Sequence, residues 1–117
     1  MNPGEEDMAD FEYLRFDRDG DVLVVTVAKP AADLNKVAAQ LHHELTHLFP
    51  RLRDERQARA VLRAGTERAC TAGGDCAWCP RFSEPGYASE VRLDGKSIVW
   101  NMLDVHLPIV CAVTGPA

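Results

Sequence analysis

Three short stretches of this 117-residue chain bring together residue types whose spacing could do chemistry. The first is Ala58 to Asp75, ARAVLRAGTERACTAGGD, which reads as a short buried strand, a Gly-containing turn and then Ala72-Gly73-Gly74-Asp75. Backbone free of side-chain bulk can present N–H groups to a ligand oxygen, so this loop has the composition of a main-chain anion stabiliser. The second is His43-Glu44-Leu45-Thr46-His47, an HExxH sequence on a predicted helix. Two imidazoles at i and i+4 can grip zinc from one helix face while the intervening carboxylate polarises a water. The third is Cys76-Ala77-Trp78-Cys79, a CxxC pair, with Cys70 shortly before it and Cys111 alone in an apolar run.

Helical geometry weighs against the zinc site. At about 100° per residue, with Leu41 at zero, Leu45, Leu48 and Leu52 gather within about 40°, whereas His43 and His47 fall near 200° and 240°. The histidines thus share a face with Lys36, Gln40 and Asp54, a solvated side without the walls, third ligand and ordered outer partners that a catalytic zinc requires. The lone CxxC also falls short, because zinc ribbons pair two such knuckles and thioredoxin-like motifs sit at a strand-to-helix junction. The cysteines are read as small hydrophobes in or near a core. No metal is expected, and an HExxH zinc-binding, metalloprotease-like module remains the alternative function.

Composition narrows the function classes further. A net charge of −5 with interleaved acids and bases, as in Arg51 to Arg56, offers no concentrated basic face for nucleic acid. No apolar run approaches the ~20 residues of a membrane span. The acidic start Met1-Asn2-Pro3-Gly4-Glu5-Glu6-Asp7 does not resemble a signal peptide. The expectation is a cytoplasmic protein with reduced thiols.

Several elements must position the three stretches. Residues 1–10 read as a flexible tail and 11–117 as one domain. Phe11 to Phe16 and Val22 to Val27 are β-prone runs around a hairpin loop, Asp17-Arg18-Asp19-Gly20-Asp21. Lys29-Pro30 ends the second run, and Asp33 or Asn35 is expected to cap a helix whose stripe is Leu34, Val37, Leu41, Leu45, Leu48 and Leu52. Pro50 should kink or end that helix. Ala60 to Leu62 is the next strand, and Trp78 to Gly86 reads as irregular. Glu90 to Val105 forms a second helix with Val91, Ile98, Met102 and Val105 on one side, and Ile109 to Val113 a strand buried on both faces. The order ββαβαβ gives an α/β layer fold.

The glycine loop and its surroundings resemble a known family. Val22-Leu23-Val24-Val25-Thr26-Val27, Lys29-Pro30, Leu34-Asn35, Ala60-Val61-Leu62-Arg63-Ala64-Gly65 and Ala69-Cys70-Thr71-Ala72-Gly73-Gly74-Asp75 follow one another as in the opening half of the crotonase superfamily, the enoyl-CoA hydratases and isomerases. Leu107-Pro108-Ile109-Val110-Cys111-Ala112-Val113-Thr114-Gly115-Pro116-Ala117 is similar to the next landmark. The resemblance implies the N-terminal half of a ClpP/crotonase fold of repeated β-β-α layers. It also implies an acyl-CoA thioester as substrate, with coenzyme A part of that substrate and no separate cofactor.

Residue by residue, the resemblance makes Gly74 the donor of one backbone N–H to the thioester oxygen, stabilising an enolate-like oxyanion, a task worth ~3 kcal/mol per donor. Leu34 would offer main-chain contacts to CoA. Ala72, Asp75 and Cys76 would line the pantetheine path, and Lys29 could meet a CoA phosphate, although as a lone lysine it also reads as an ordinary exposed charge.

This sequence departs from the family pattern. Cys70 stands where an aromatic is usual and Cys76 where a bulky apolar residue is usual. Ala28-Lys29-Pro30 replaces Asn-Arg-Pro, and Asp33 brings a carboxylate close to the expected adenine contacts, where it could repel phosphate. In the family a second oxyanion N–H and the catalytic carboxylates come after the segment matching Thr114 to Ala117. Of the acids present, Glu67, Glu84 and Glu90 could line the pocket mouth, with no spacing that marks a pair.

The chain is therefore read as a truncated or incomplete copy, with hydration of a 2-enoyl-CoA, a lyase step of fatty acid metabolism, as the expected activity of the complete enzyme. A homo-oligomer, trimer or hexamer, is expected, together with exposed apolar surface. A non-catalytic assembly protein that keeps the fold is the third possibility.

Overall fold

The structure is a computed structural model that describes residues 11–30 and 33–117. The tail expected over residues 1–10 lies outside the described residues. β1 (Leu14–Asp19) and β2 (Val22–Val27) form the expected hairpin, with Leu14 opposite Val27 and Asp19 opposite Val22. Its turn is only Gly20-Asp21, because Asp17, Arg18 and Asp19 continue the ladder instead of looping out. β3 (Ala60–Ala64) and β4 (Ile109–Ala112) add in parallel, giving one four-stranded sheet in the order β1-β2-β3-β4. The connections between the parallel strands run through α1 (Ala39–Arg53) and α2 (Tyr87–Leu103).

Period-two burial on β2 makes the core. Leu23, Val25 and Val27 point inward with Val61 of β3, and Leu41, Leu48, Phe49 and Leu52 of α1 close over them. α1 begins later than the apolar spacing suggests. Leu34 and Val37 precede it, and its N-cap is Ala38, so neither Asp33 nor Asn35 caps the helix. Pro50 falls in the last turn, where its missing N–H costs one bond, and the helix runs three residues further to Arg53. β3 extends beyond its expected end at Leu62 to Ala64, pairing there with Ala112.

The second half of the chain is less covered. α2 starts at Tyr87 rather than Glu90, and none of its residues is fully buried. Leu93, Trp100 and Leu103 are 64%, 74% and 73% exposed. β4 was expected to be buried on both faces, but Val110 and Cys111 are exposed, because among the described residues β4 is an edge strand paired with β3 alone. Among the described residues no helix is long and apolar enough to cross a membrane.

A buried carboxylate locks the far side of the sheet. Glu55, just past α1, receives Arg18 of β1 at 2.9 and 3.1 Å, Arg51 at 3.3 Å, and the N–H groups of Gln57 and Ala58 at 2.8 and 2.7 Å. The hydrogen bonds from Arg18 first, then those from the Ala58 and Gln57 amides, outweigh burial and hold this carboxyl at about 2 instead of 4.5. A carboxyl depressed in the folded state stabilises fully above its unfolded value and loses that contribution as pH falls through its folded one. Stability should therefore drop by on the order of 2 kcal/mol between pH 4.5 and pH 2 on account of this group. Glu55→Gln should be less stable at neutral pH and show a flatter acid limb in urea titrations taken at stepped pH.

Candidate functional site

Two turns meet at the end of the sheet, one after β2 and the other after β3. Leu34 and Asn35 adopt left-handed backbone at φ 57° and 55°. Asn tolerates that conformation well, whereas Leu does so only when its surroundings fix it. The fixing group is the Asn35 carboxamide, 2% exposed: its Oδ1 accepts the Lys29 N–H at 3.0 Å, and its Nδ2 donates to the carbonyls of Ala69 and Cys70 at 3.0 and 3.4 Å. One side chain thus joins the exit of β2, its own turn and the entrance to the glycine loop.

Lys29 is not the exposed charge that one reading expected. Its ammonium is buried, donates to the Lys36 carbonyl at 2.6 Å, pairs with Asp33 at 3.0 Å and lies 5.3 Å from the centre of the Tyr13 ring. Asp33 also accepts the Lys36 N–H at 2.8 Å, so its carboxylate faces a cation and an amide within its own turn.

The glycine loop is laid against this turn by backbone bonds. Ala72 N–H donates to the Leu34 carbonyl at 2.9 Å and the Thr71 hydroxyl to the Asn35 carbonyl at 2.9 Å. Val37 N–H then donates to the Gly73 carbonyl at 2.8 Å, and Asp75 N–H to the Val37 carbonyl at 2.9 Å. These last two bonds form a one-residue parallel bridge between Val37 and Gly74. In a trans peptide C=O and N–H point opposite ways, so with the Gly73 carbonyl turned to Val37 the Gly74 N–H faces away from it. Among the described residues that N–H has no acceptor. Gly73 supplies the required φ of +89°. From the other side the Pro116 carbonyl accepts the N–H groups of Cys70 and Thr71 at 3.0 and 3.1 Å. Gly115 allows that approach, since a Cβ there would sit 2.4 Å from the Arg68 carbonyl.

Ala72, Gly74 and Cys76 are exposed, while Leu34 and Asp75 are half-buried. Asp75 Oδ1 accepts the Ala77 N–H at 3.0 Å and so caps a 3₁₀ helix, Cys76–Ser83, where irregular chain was expected. Trp78 anchors this helix, its Nε1 donating to the Tyr87 hydroxyl at 2.7 Å and its ring packing on His42 and Phe82. Glu67, Glu84 and Glu90 are all on the exposed surface.

HExxH chemistry is not assembled. Glu44 is 2% exposed and accepts the Tyr13 N–H at 2.9 Å and Gln40 at 3.2 Å, whereas His43 and His47 stand on the exposed side of α1. The carboxylate and the imidazoles thus point to different sides, and no group of three potential metal ligands occurs among the described residues. Only Cys70 is a core cysteine; Cys76, Cys79 and Cys111 are exposed, contrary to the reading of all four as core-associated hydrophobes. Arg63 Nη1 reaches both Cys70 and Cys111 sulfurs, at 3.1 and 3.5 Å. A half-open apolar cleft of 470 Å³, lined by Leu48, Phe49, Val61, Leu103 and Ile109, lies between α1, the sheet and the end of α2 and does not include the glycine loop.

A free amide held by a neighbouring strand-like turn is the geometry that the sequence resemblance implies, and comparison with known proteins decides the family. The family model for enoyl-CoA hydratase/isomerase matches residues 17–117. The chain belongs to the enoyl-CoA hydratase/isomerase family. A crystal structure of an enoyl-CoA hydratase/isomerase from Mycobacterium paratuberculosis is 34% identical, with a TM-score of 0.83, over 92% of this chain and 44% of that one. Enoyl-CoA hydratases from Shewanella pealeana and Thermoplasma volcanium share the fold at 15% and 22% identity, with TM-scores of 0.80 and 0.76, over 98% and 88% of this chain and 44% and 40% of theirs. No curated protein matches the sequence. The family chain therefore spans under half the length of these relatives, and its fold is that of their crotonase-like N-terminal part.

Asn35, which the apolar spacing offers as a helix cap, instead clamps the two turns and is the main residue whose importance the sequence did not reveal. The available signal was its place next to Leu34 in the family landmark. Asn35→Ala should cost about 3 kcal/mol, because it strands the buried Lys29 N–H and Ala69 carbonyl. A lowered urea midpoint at unchanged slope would show it.

Proposed function

We propose that this chain is the N-terminal part of an acyl-CoA enzyme in which the Gly74 N–H polarises a thioester carbonyl, most simply for hydration of a 2-enoyl-CoA. The supporting observation is the Gly73–Gly74 peptide, whose carbonyl is tied to Val37 while its N–H is left without an acceptor among the described residues. When water or a base attacks the substrate, negative charge collects on the thioester oxygen. A donor already aimed there, with no reorganisation to undergo, lowers that barrier more than it tightens ground-state binding.

In this proposal Leu34, Ala72, Asp75 and Cys76 border the thioester arm, with coenzyme A entering as part of the substrate and no further cofactor. Lys29 acts beneath the arm, because its ammonium is engaged by Asp33 and the Lys36 carbonyl. The second oxyanion donor and the acid/base carboxylates would come from the part of the fold that the longer relatives have and this chain does not span. A cytoplasmic homo-oligomer, trimer or hexamer, is the expected setting, with the exposed face of α2 available for contacts between copies.

Substitution at the donor tests this directly. A Cβ at Gly74 meets nothing within 4 Å, so Gly74→Ala keeps both the N–H and the space. Gly74→Pro removes the N–H. A 2-enoyl-CoA should slow hydrogen exchange at the Gly74 amide in the parent chain and in Gly74→Ala, and Gly74→Pro should bind it roughly five- to tenfold more weakly. Unchanged Gly74 exchange at saturating thioester would overturn the assignment.

A further inference from the structure

The 3₁₀ helix that follows the glycine loop carries an exposed pair of thiols with a geometry of its own. Cys76 is its first residue and Cys79 lies three positions on. With three residues per turn and about 2 Å rise, residues i and i+3 of a 3₁₀ helix eclipse one another and their Cα atoms lie about 6 Å apart. That separation falls inside the roughly 4.4–6.8 Å that a disulfide spans. On an α-helix the same spacing would leave the two side chains about 60° out of line. Both thiols are free and exposed, and among the described residues neither sulfur makes a hydrogen bond. Cys70 and Cys111 differ, since one Arg63 nitrogen engages both of their sulfurs and Cys70 is buried.

We propose that Cys76 and Cys79 are a redox modification site that closes to an intramolecular disulfide by exchange with a low-molecular-weight disulfide such as oxidised glutathione. The first thiolate of the pair attacks one sulfur of the small disulfide, breaking its S–S bond and releasing one small thiolate. The second then attacks the mixed disulfide, forms the Cys76–Cys79 bond and releases the other thiolate. Two electrons pass to the small disulfide, which leaves as two thiols carrying the two protons lost by the cysteines.

The ring so formed encloses Ala77 and Trp78, two of the residues through which the helix is attached to its surroundings. Ala77 N–H is the group capped by Asp75, whose own N–H donates to Val37 in the bridge that aims the Gly74 amide. Trp78 holds the helix to His42 and Tyr87. Tightening this turn pulls on the Asp75 cap and hence on the Gly73–Gly74–Asp75 backbone, so the oxidation state of the pair sets the aim of the donor. The consequence for ligand binding rests on the acyl-thioester proposal above; the disulfide does not.

The test uses the full chain equilibrated in glutathione buffers of stepped ratio, followed by alkylation, fragmentation mass spectrometry and Gly74 amide exchange. The expected result is loss of two hydrogens localised to Cys76 and Cys79, alkylatable Cys70 and Cys111 in the unfolded quench, a changed Gly74 exchange rate, and full reversal by dithiothreitol. Affinity for a 2-enoyl-CoA should fall at least fivefold in the parent chain in step with the loss of two hydrogens, and Cys79→Ser, which cannot close the ring, should show no two-hydrogen loss. A closed disulfide with altered Gly74 exchange but no thioester binding in either state would support this site while refuting the acyl-thioester proposal. A pair that stops at mixed disulfides, cross-links copies instead, or binds added zinc in place of closing would overturn it, as would identical redox responses in the parent chain and Cys79→Ser.

Discussion

The carboxamide of Asn35 is the interaction on which the end of the sheet depends. It meets three backbone groups from two separate parts of the chain, the Lys29 amide and the adjacent Ala69 and Cys70 carbonyls, in a buried position. Buried peptide groups must be paired, and in a turn there is no ladder to pair them. An amide side chain, which donates and accepts at once, satisfies both sexes of backbone group from a single position. Neither Asp nor Leu at position 35 could do the same. The left-handed backbone of Leu34 follows from this, since the clamp holds its neighbour at φ 55° and the turn must close between fixed ends.

From that clamp the geometry of the glycine loop is derived in steps. Fixing residues 34 to 37 fixes three acceptors and one donor, to which Ala72, Thr71, Gly73 and Asp75 attach in order. The attachment orients a peptide plane, and the plane orients its N–H. No charged side chain takes part in this sequence of contacts. Lys29 and Asp33 pair with each other underneath the loop. A site made this way supplies directional hydrogen bonding, which suits an oxygen that becomes negative only during reaction.

How much of this was legible in the sequence varied with what governs each element. The hairpin, the α1 face and the β3 strand follow local periodicity, and those were readable from Leu23, Val25 and Val27 at period two and Leu41, Leu48 and Leu52 at helical steps. The start of α1 was not, because Leu34 and Val37 continue the helical spacing while one belongs to a turn and the other to the bridge with Gly74, and only the distant carbonyls of Ala69 and Cys70 reveal that Asn35 leaves the helix. The same limit applies to Glu44 and Lys29. Both are charged residues whose burial is explained by partners far along the chain or across the turn, Tyr13 for one and Tyr13, Lys36 and Asp33 for the other. The glycine loop was legible as a resemblance, and its glycines have distinct reasons: Gly73 takes a positive φ, while Gly65 and Gly115 lie where a Cβ would meet backbone. β4 misled because an apolar run reports the hydrophobicity of a strand without saying how many neighbours it has.

That uncovered edge bears on how independent the candidate donor is. β4 and the outer face of α2 expose Val110, Trp100 and Leu103, whereas the contacts that aim the Gly74 amide among the described residues join the turn after β2, the glycine loop and Pro116. The covering of β4 and the orientation of the peptide are therefore set by different contacts. A partner packing on α2 could raise the stability of the whole domain by burying apolar area, at ~25 cal/mol per Å², and leave the amide's direction unchanged. The reverse holds for the 3₁₀ helix. It touches the Gly74 backbone through Asp75, whose side chain accepts the Ala77 N–H and whose carbonyl accepts the Trp78 N–H, so a small covalent change there reaches the donor although it contributes little to the core.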